Sequence, residues 1–292
     1  MPHSKIIKII VASGLLFTAT GGLCGNGNHP AGSRSAGLGD ASVTLRDLWA
    51  VQNNIAGLAG TDGLQAGVWA GNRYLLAELG TTGMAVAMKA KPGVLGVSFT
   101  RFGYQGYNET KAGLAFARDL GKWFSAGLML DYLRTAIAEN YGSKSMFTFE
   151  VGFQAMLSKN VTLGAHVFNP VGVKIQKSYD ERVPAVYKFG LGWKPAKDIL
   201  VLAETEKYGN YKLLLRGGIE YQVAEKAMLR LGYSTLPSLS GSDNFSVASS
   251  YSFGFGLKFK KLIIDFAASV HQILGWSPTV SLTYNFKTGK IN

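Results

Sequence analysis

Eight ionisable residues, Asp131, Glu150, Glu204, Arg216, Glu220, Arg230, Lys258 and Asp265, fall on the face of their runs opposite the large aromatic and aliphatic residues. A single-sign set would point to ion selection, but here the signs are mixed over successive runs, which favours a lining of paired charges and hydrogen bonds that stiffens a wall. A polar-solute selectivity lining is the other chemistry such residues support. Nucleophilic and metal chemistry find little to work with. The histidines, His3, His29, His166 and His271, are dispersed, and Cys24 is the single cysteine. His166 shares a phase with Thr162 and Gly164, yet no serine or carboxylate stands at a spacing that marks it as a partner. No metal-ligand cluster and no cofactor motif is present. The pairs Gly190-Leu-Gly192 and Gly254-Phe-Gly256 have no following helix to cradle a phosphate, so the chain reads as non-enzymatic.

The elements that carry those charges are extended runs. Tyr251, Phe253, Phe255, Leu257 and Phe259 alternate with Ser252, Gly254, Gly256 and Lys258; Leu262, Ile264, Phe266, Ala268 and Val270 form the next apolar face; Val280, Leu282, Tyr284 and Phe286 alternate with Ser281, Thr283 and Asn285. A soluble β-sandwich also alternates, but it seldom places so many Gly, Ser and Asn on the second face. A membrane barrel turns the aromatic face to lipid and keeps small, polar and charged residues for the lumen. Alternation and turn signals give about fourteen strands, from Leu64–Gly71 through Val94–Arg101, Val183–Trp193 and Tyr211–Val223 to Thr279–Phe286. Residues 72–80 suit a helical turn better than a strand. Connections at 136–145, 171–182 and 235–244 are longer and more polar, the kind that faces outward from a cell.

Composition agrees. Charged residues are 16% of the chain, against about 25% in ordinary soluble domains, and Gly numbers 37. The net charge of +12 is scattered over turns and strand ends instead of forming a nucleic-acid stripe, so nucleic acid is not expected as a partner; rim lysines suit phosphates of outer-membrane lipid or acidic sugars. Lys5 and Lys8 precede the apolar run Ile9–Ala19, too short for a membrane-spanning helix and fit for an export signal over residues 1–23. Cys24 would be the first residue of the mature chain if it were lipidated. An exported, lipid-facing chain without long apolar helices implies the outer membrane.

Residues 24–62 differ from the barrel region, 63–292. Residues 31–41 are small and glycine-rich, and Leu45, Leu48, Trp49, Gln52 and Ile55 have helical spacing with Thr44 or Asp47 as cap. This reads as a plug, or hatch, in the lumen, since a wide barrel needs filling to be impermeable.

The strings 31–43, with Arg34, Gly39 and Ala41, and Asn54-Ile55-Ala56-Gly57-Leu58-Ala59 resemble the opening of the PorV/PorQ group of Bacteroidetes outer-membrane proteins, with Ile55 in place of a usual proline. Phe168-Asn169-Pro170-Val171-Gly172 resembles a mid-barrel turn of the same group, which lies within the long-chain fatty-acid-transporter (FadL-like) barrels. The resemblance implies a fourteen-stranded barrel closed by its N-terminal plug, held by Arg34, Asp40, Trp49, Asn53, Asn54, Gly57 and Leu58. It also implies an accessory role in a larger outer-membrane secretion or envelope complex of type IX kind. The alternative within the superfamily is a transporter of hydrophobic small molecules, which would bind its ligand near the plug and show a gap in the wall near the strand around Val94 to Gly103.

Overall fold

The computed structural model describes residues 30–138, 142–176, 181–209, 213–236 and 248–286. The export signal, Cys24, His3, His29, most of the connection 235–244 and the residues after Phe286 lie outside them. Fourteen antiparallel strands close into a barrel, as the alternation predicts. They are β1 (Leu64–Asn72), β2 (Gly80–Ala90), β3 (Gly93–Gly103), β4 (Tyr107–Asp119), β5 (Phe124–Ile137), β6 (Gly142–Met156), β7 (Val161–Phe168), β10 (Val186–Ala196), β11 (Ile199–Tyr208), β12 (Leu214–Ala224), β13 (Ala227–Leu236), β14 (Ala248–Phe259), β15 (Leu262–His271) and β16 (Gly275–Phe286). A two-stranded ribbon, β8 (Lys174–Gln176) with β9 (Glu181–Arg182), decorates the connection between β7 and β10. Every strand pairs with its sequence neighbour in the barrel, and β1 closes on β16 with Leu64 opposite Phe286 and Trp69 opposite Ser281.

The outward face is apolar and bare. Phe147 is 75% exposed and Phe253 51%, while Ser252 between Tyr251 and Phe253 is 3% exposed. That inversion of a soluble protein's pattern is what lipid on the outside dictates, and it disposes of the soluble-sandwich alternative. Closure also removes sheet edges, so no backbone group on the wall has to face hydrocarbon unpaired.

Six short connections, β2–β3, β4–β5, β6–β7, β10–β11, β12–β13 and β14–β15, lie at one end together with the start of β1 and the end of β16. By the usual asymmetry of such barrels this end faces the periplasm. At the other end, residues 73–79 form two 3₁₀ turns, Arg73–Leu75 and Ala77–Leu79, matching the helical-turn expectation for that segment.

Several boundaries differ from the sequence reading: β10 begins at Val186 instead of Val183 and β16 at Gly275 instead of Thr279. The polar start of β4, Asn108 to Lys111, pairs with β5, with Glu109 and Lys111 in the lumen phase. The segment 31–60 is less helical than its spacing suggests. It holds one short helix, α1 (Ser33–Gly37), a single turn, α2 (Ala50–Asn53), and a 3₁₀ helix, Ile55–Gly60. Asp47 Oδ1 accepts the Trp49 amide at 3.0 Å and starts α2, and Asn54 Oδ1 accepts the Ala56 amide at 3.2 Å and caps the 3₁₀ helix. Between α1 and α2 the chain turns through Gly39 (φ 65°) and Asp40 (φ 63°), conformations that interrupt any continuous helix.

Candidate functional site: the occupied lumen

Residues 31–59 run through the barrel interior, and nearly all of them are buried. Backbone can approach wall this closely only where wall side chains are missing. A Cβ added to Gly218 on β12 would lie 2.6 Å from the Leu38 carbonyl oxygen; at Gly127 on β5, 2.5 Å from Ile55 Cγ2; at Gly67 on β1, 2.8 Å from Leu48 Cδ2. Gly152, Gly164 and Gly232 are crowded in the same way by Asn54, Val43 and Gly39. These lumen-phase glycines form a seat around the segment, on strands scattered along the sequence. Sequence reasoning took the strand glycines as small lumen-face residues and as no phosphate loop, and did not read a seat from them; an isolated glycine inside a strand was the signal for close backbone approach.

The seat has two unlike flanks. On β1 to β5 it is apolar: Leu48, Trp49, Val51, Ile55 and Leu58 of the segment pack on Trp69, Ala85, Ala87, Val94, Ala115 and Met129 of the wall. On β6 to β15 it is mainly polar, apart from Leu38, Ala41 and Leu45 packed on Leu202 of β11. Glu204 on β11 accepts the backbone amides of Ser42 and Val43 at 2.7 and 2.8 Å. Gln154 on β6 donates to the carbonyls of Val43 and Leu45 at 3.0 and 3.2 Å. Arg34 of α1 grips Glu220 on β12 with two nitrogens, at 2.6 and 2.9 Å, and reaches Asp47 at 3.0 Å. Glu220 in turn accepts from Arg230 on β13 at 2.6 Å, and Arg230 holds Asp265 on β15 at 2.6 Å. The line Asp47, Arg34, Glu220, Arg230, Asp265 thus alternates sign throughout and joins segment to wall.

A second set of charges lies towards the long-loop end. Lys111 on β4 pairs with Glu150 on β6 and stands 3.8 Å from Asp131 on β5, and Glu150 also meets His166 Nε2 at 2.7 Å. Arg216 on β12 pairs with Glu206 at 2.9 Å and stands 3.5 Å from Glu204, with Lys188 on β10 3.7 Å from Glu206. Seven of the eight inward charges read from the sequence therefore sit in paired rows. Lys258 does not: it has the inward phase but lies exposed one residue from the periplasmic end of β14, because alternation fixes the face of a residue and says nothing of its depth. Lys111, Lys188 and Glu206 were missed by the sequence reading; Lys188 stands between Tyr187 and Phe189 as a clear inward charge, whereas Lys111 and Glu206 lie in polar stretches where alternation is weak.

The named plug residues are placed as follows. Asn53 accepts the Ala31 amide at 2.8 Å and donates to the Ala31 carbonyl at 3.0 Å, bracing the segment on itself. Asn54 donates to the carbonyls of Val43 at 2.6 Å and Phe153 at 3.2 Å. Trp49 covers Gly32, Leu58 packs over Gly96, and Gly57 lies against the Leu45 carbonyl, where a side chain would not fit. Asp40 contributes its carbonyl, which accepts from Ser42 Oγ at 3.3 Å and Arg216 at 3.4 Å; the carboxylates that take the latch role are those of Asp47, Glu204 and Glu220.

Two concavities adjoin the seat. One, about 550 Å³, opens at the periplasmic mouth among Arg46, Trp123, Lys159, Lys194, Lys197 and Met228. The other, about 370 Å³, is an apolar groove on the lipid face, bordered by Val68, Ala70, Met84, Phe99, Val280 and Leu282, with Trp69 at its floor. Trp69 packs from inside over Gly83, so one indole separates this groove from the apolar flank of the seat. The wall itself is unbroken there. Strand β3 pairs without interruption from Gly93 to Phe102 with β2 and from Val94 to Gly103 with β4, so the gap expected near this strand is absent; Gly96 makes room for Val51 and Leu58 instead.

Solved structures share this architecture. The chain is similar to the CymD monoaromatic hydrocarbon channel (TM-score 0.72, 13% identity, 88% of this chain and 98% of that one). It is also similar to the Pseudomonas putida toluene transporter TodX (TM-score 0.68, 12% identity, 86% and 97%) and to a Pseudomonas aeruginosa FadL homologue (TM-score 0.65, 12% identity, 87% and 98%). The chain has the FadL-like barrel fold. No protein-family model and no curated protein matches the sequence. The likeness to transport barrels overturns the secretion-accessory role that the opening strings implied. Those strings lie in the lumen, where most of their residues are buried and hold the plug in its seat.

Proposed function

We propose that this protein carries hydrophobic small molecules across the outer membrane, without catalysis. The observation that carries the reading is the apolar sector of the barrel. It runs continuously from Leu48, Trp49, Ile55 and Leu58 of the plug, through Trp69 and Ala85 on the inner wall, to the groove of Val68, Met84, Phe99 and Leu282 on the lipid face. A polar solute gains nothing from such a sector, whereas an apolar solute is favoured there by about 25 cal/mol for each Å² it removes from water. At about 370 Å³ the groove is in the size range of small-molecule sites. The structural neighbours support the same class, being described as channels for monoaromatic hydrocarbons and a transporter of toluene. We retain a PorV/PorQ-type lineage as our reading of the opening strings, detached from any secretion role.

The test is uptake of radiolabelled toluene by cells whose own hydrocarbon channels are deleted and which express this protein. The initial rate is expected to exceed that of cells carrying the empty vector, while uptake of a hydrophilic sugar is unchanged. Equal toluene rates in the two strains would overturn the proposal.

A further inference from the structure

Each of the six short connections at the periplasmic end carries a lysine: Lys91, Lys122, Lys159, Lys197, Lys226 and Lys260. All six are exposed, and none makes a salt bridge within the described residues. Only two of these connections also hold a carboxylate, Asp198 and Glu225. Short turns do not demand lysine. A two-residue hairpin favours Gly, Asn or Asp where φ is positive, yet Lys260 occupies such a position at φ 37°. At the opposite end, connections 104–106 and 272–274 carry no charge, and where charge occurs among the described residues both signs are present: Arg73 with Glu78 in 73–79, and Lys174 and Arg182 with Glu181 between β7 and β10.

The height of the crown relative to lipid is set by the aromatic residues next to it. Phe124, Trp193, Phe259 and Phe286 are exposed on the outer wall within a few residues of the short turns, where the aromatic belt of a barrel meets the headgroup layer. Lys261, beside Lys260, extends its ammonium to 5.9 Å from the Tyr284 ring, along the wall instead of into the lumen. The six lysines therefore ring the rim next to the headgroup layer, one in each short turn, with Lys159 and Lys197 also bordering the mouth concavity.

We propose that this lysine crown is a binding surface for anionic phospholipid headgroups of the periplasm-facing leaflet, selecting them over zwitterionic ones. Two features favour a lipid leaflet over a protein partner. The charges form a closed ring at one height instead of a patch, and they adjoin the aromatic belt. A bilayer leaflet has that geometry and surrounds the barrel on every side.

The experiment uses the full barrel reconstituted with equal amounts of phosphatidylglycerol and phosphatidylethanolamine, with a spin-labelled trace of each reporting the lipid shell next to the protein. Phosphatidylglycerol is expected to be enriched in that shell by about fivefold, the effect of one lysine near a membrane surface, and the enrichment should fall at high salt. A variant with all six residues changed to Gln should lose it, and the corresponding six-Arg variant should keep it. Retained heat-modifiable mobility on electrophoresis shows that each variant is folded. Equal occupancy by the two lipids in the parent protein, or enrichment that survives the Gln changes, would overturn the proposal. So would a soluble periplasmic protein captured through the six lysines with no lipid preference, since it would assign the crown to that partner.

Discussion

Gly217 and Gly218 are neighbours on β12, so a methyl group added to each tests whether the lumen glycines are a seat or merely weak strand formers. At Gly218 the new Cβ would stand 2.6 Å from the Leu38 carbonyl oxygen and 2.9 Å from its Cα, both backbone atoms of the plug that no rotamer change can move aside. At Gly217 the nearest atom is 3.6 Å away, ordinary van der Waals contact. Overpacking of this kind costs about 1–3 kcal/mol. Because the strand can keep its pairing while the plug shifts, that penalty falls on plug seating. At about 1.4 kcal/mol per factor of ten, Gly218→Ala should raise the unseated population roughly 5- to 150-fold. Gly217→Ala should instead stabilise the strand by about 0.5–1 kcal/mol through reduced chain entropy and leave seating unchanged. Ionic conductance of the barrel in a planar bilayer reads the unseated state directly. Frequent openings in Gly218→Ala and none above the parent level in Gly217→Ala are expected; equal behaviour of the two would refute the seat.

Arg34→Ala removes the cation between Asp47 and Glu220, but the pair is partly exposed and Glu220 keeps Arg230, so seating should weaken by about 1–3 kcal/mol, less than for a fully buried pair left uncompensated, with Arg34→Lys intermediate in the same conductance assay. Trp69→Ala deletes the indole between the outer groove and the apolar flank; toluene uptake should quicken, and the thermal unfolding midpoint should drop in line with a loss of about 3–5 kcal/mol, whereas unchanged uptake would show that the groove is not on the route. Asn54→Ala loses its two donated bonds to Val43 and Phe153 and the cap on the Ala56 amide, and should destabilise the plug by at least the ~1 kcal/mol of a single lost cap. Limited proteolysis from the periplasmic side should then cut the plug faster than in the parent protein, and no change in cleavage rate would count against that role.

The barrel was legible because its two faces meet opposite solvents. A strand such as Val280 to Phe286, with Ser281, Thr283 and Asn285 between, records lipid and lumen at a period of two, and fourteen such records suffice to count the wall. The inward charges were legible by the same phase. What alternation does not encode is depth, and Lys258 shows the consequence: inward by phase, yet at the rim. Nor does it encode contact between distant parts of the chain. The seat joins Gly218 to Leu38 and Gly127 to Ile55, pairs separated by long stretches of sequence; alternation puts Gly218 on the lumen face and Gly217 on the other, but nothing local marks Gly218 as a contact of Leu38. The plug's irregular course was hidden for a related reason. Helical spacing at Leu48, Trp49 and Ile55 reflects one apolar flank packed on β1 to β5, while Leu45 packs on Leu202 of β11, and a chain that turns repeatedly can present both as well as a helix can.

The opening strings misled on function for a reason the seat makes plain. Asn54 is required by three hydrogen bonds, Gly57 by the Leu45 carbonyl against it, and Leu58 by the space over Gly96. Even the departure at Ile55 fits. It is the first residue of the 3₁₀ helix behind the Asn54 cap, a position where proline is favoured because the amide there has no partner within the helix, and where isoleucine gains apolar contact against Gly127 instead. The shared residues are therefore those that any plug seated in this way needs. They report how the lumen is closed, and a resemblance built on them passes equally to barrels that do very different things once closed. The residues that bear on what crosses the membrane, Trp69 and the groove bordered by Val68, Met84 and Phe99, lie outside both strings, which is why the geometry and the motif point to different functions and why the geometry is the better guide.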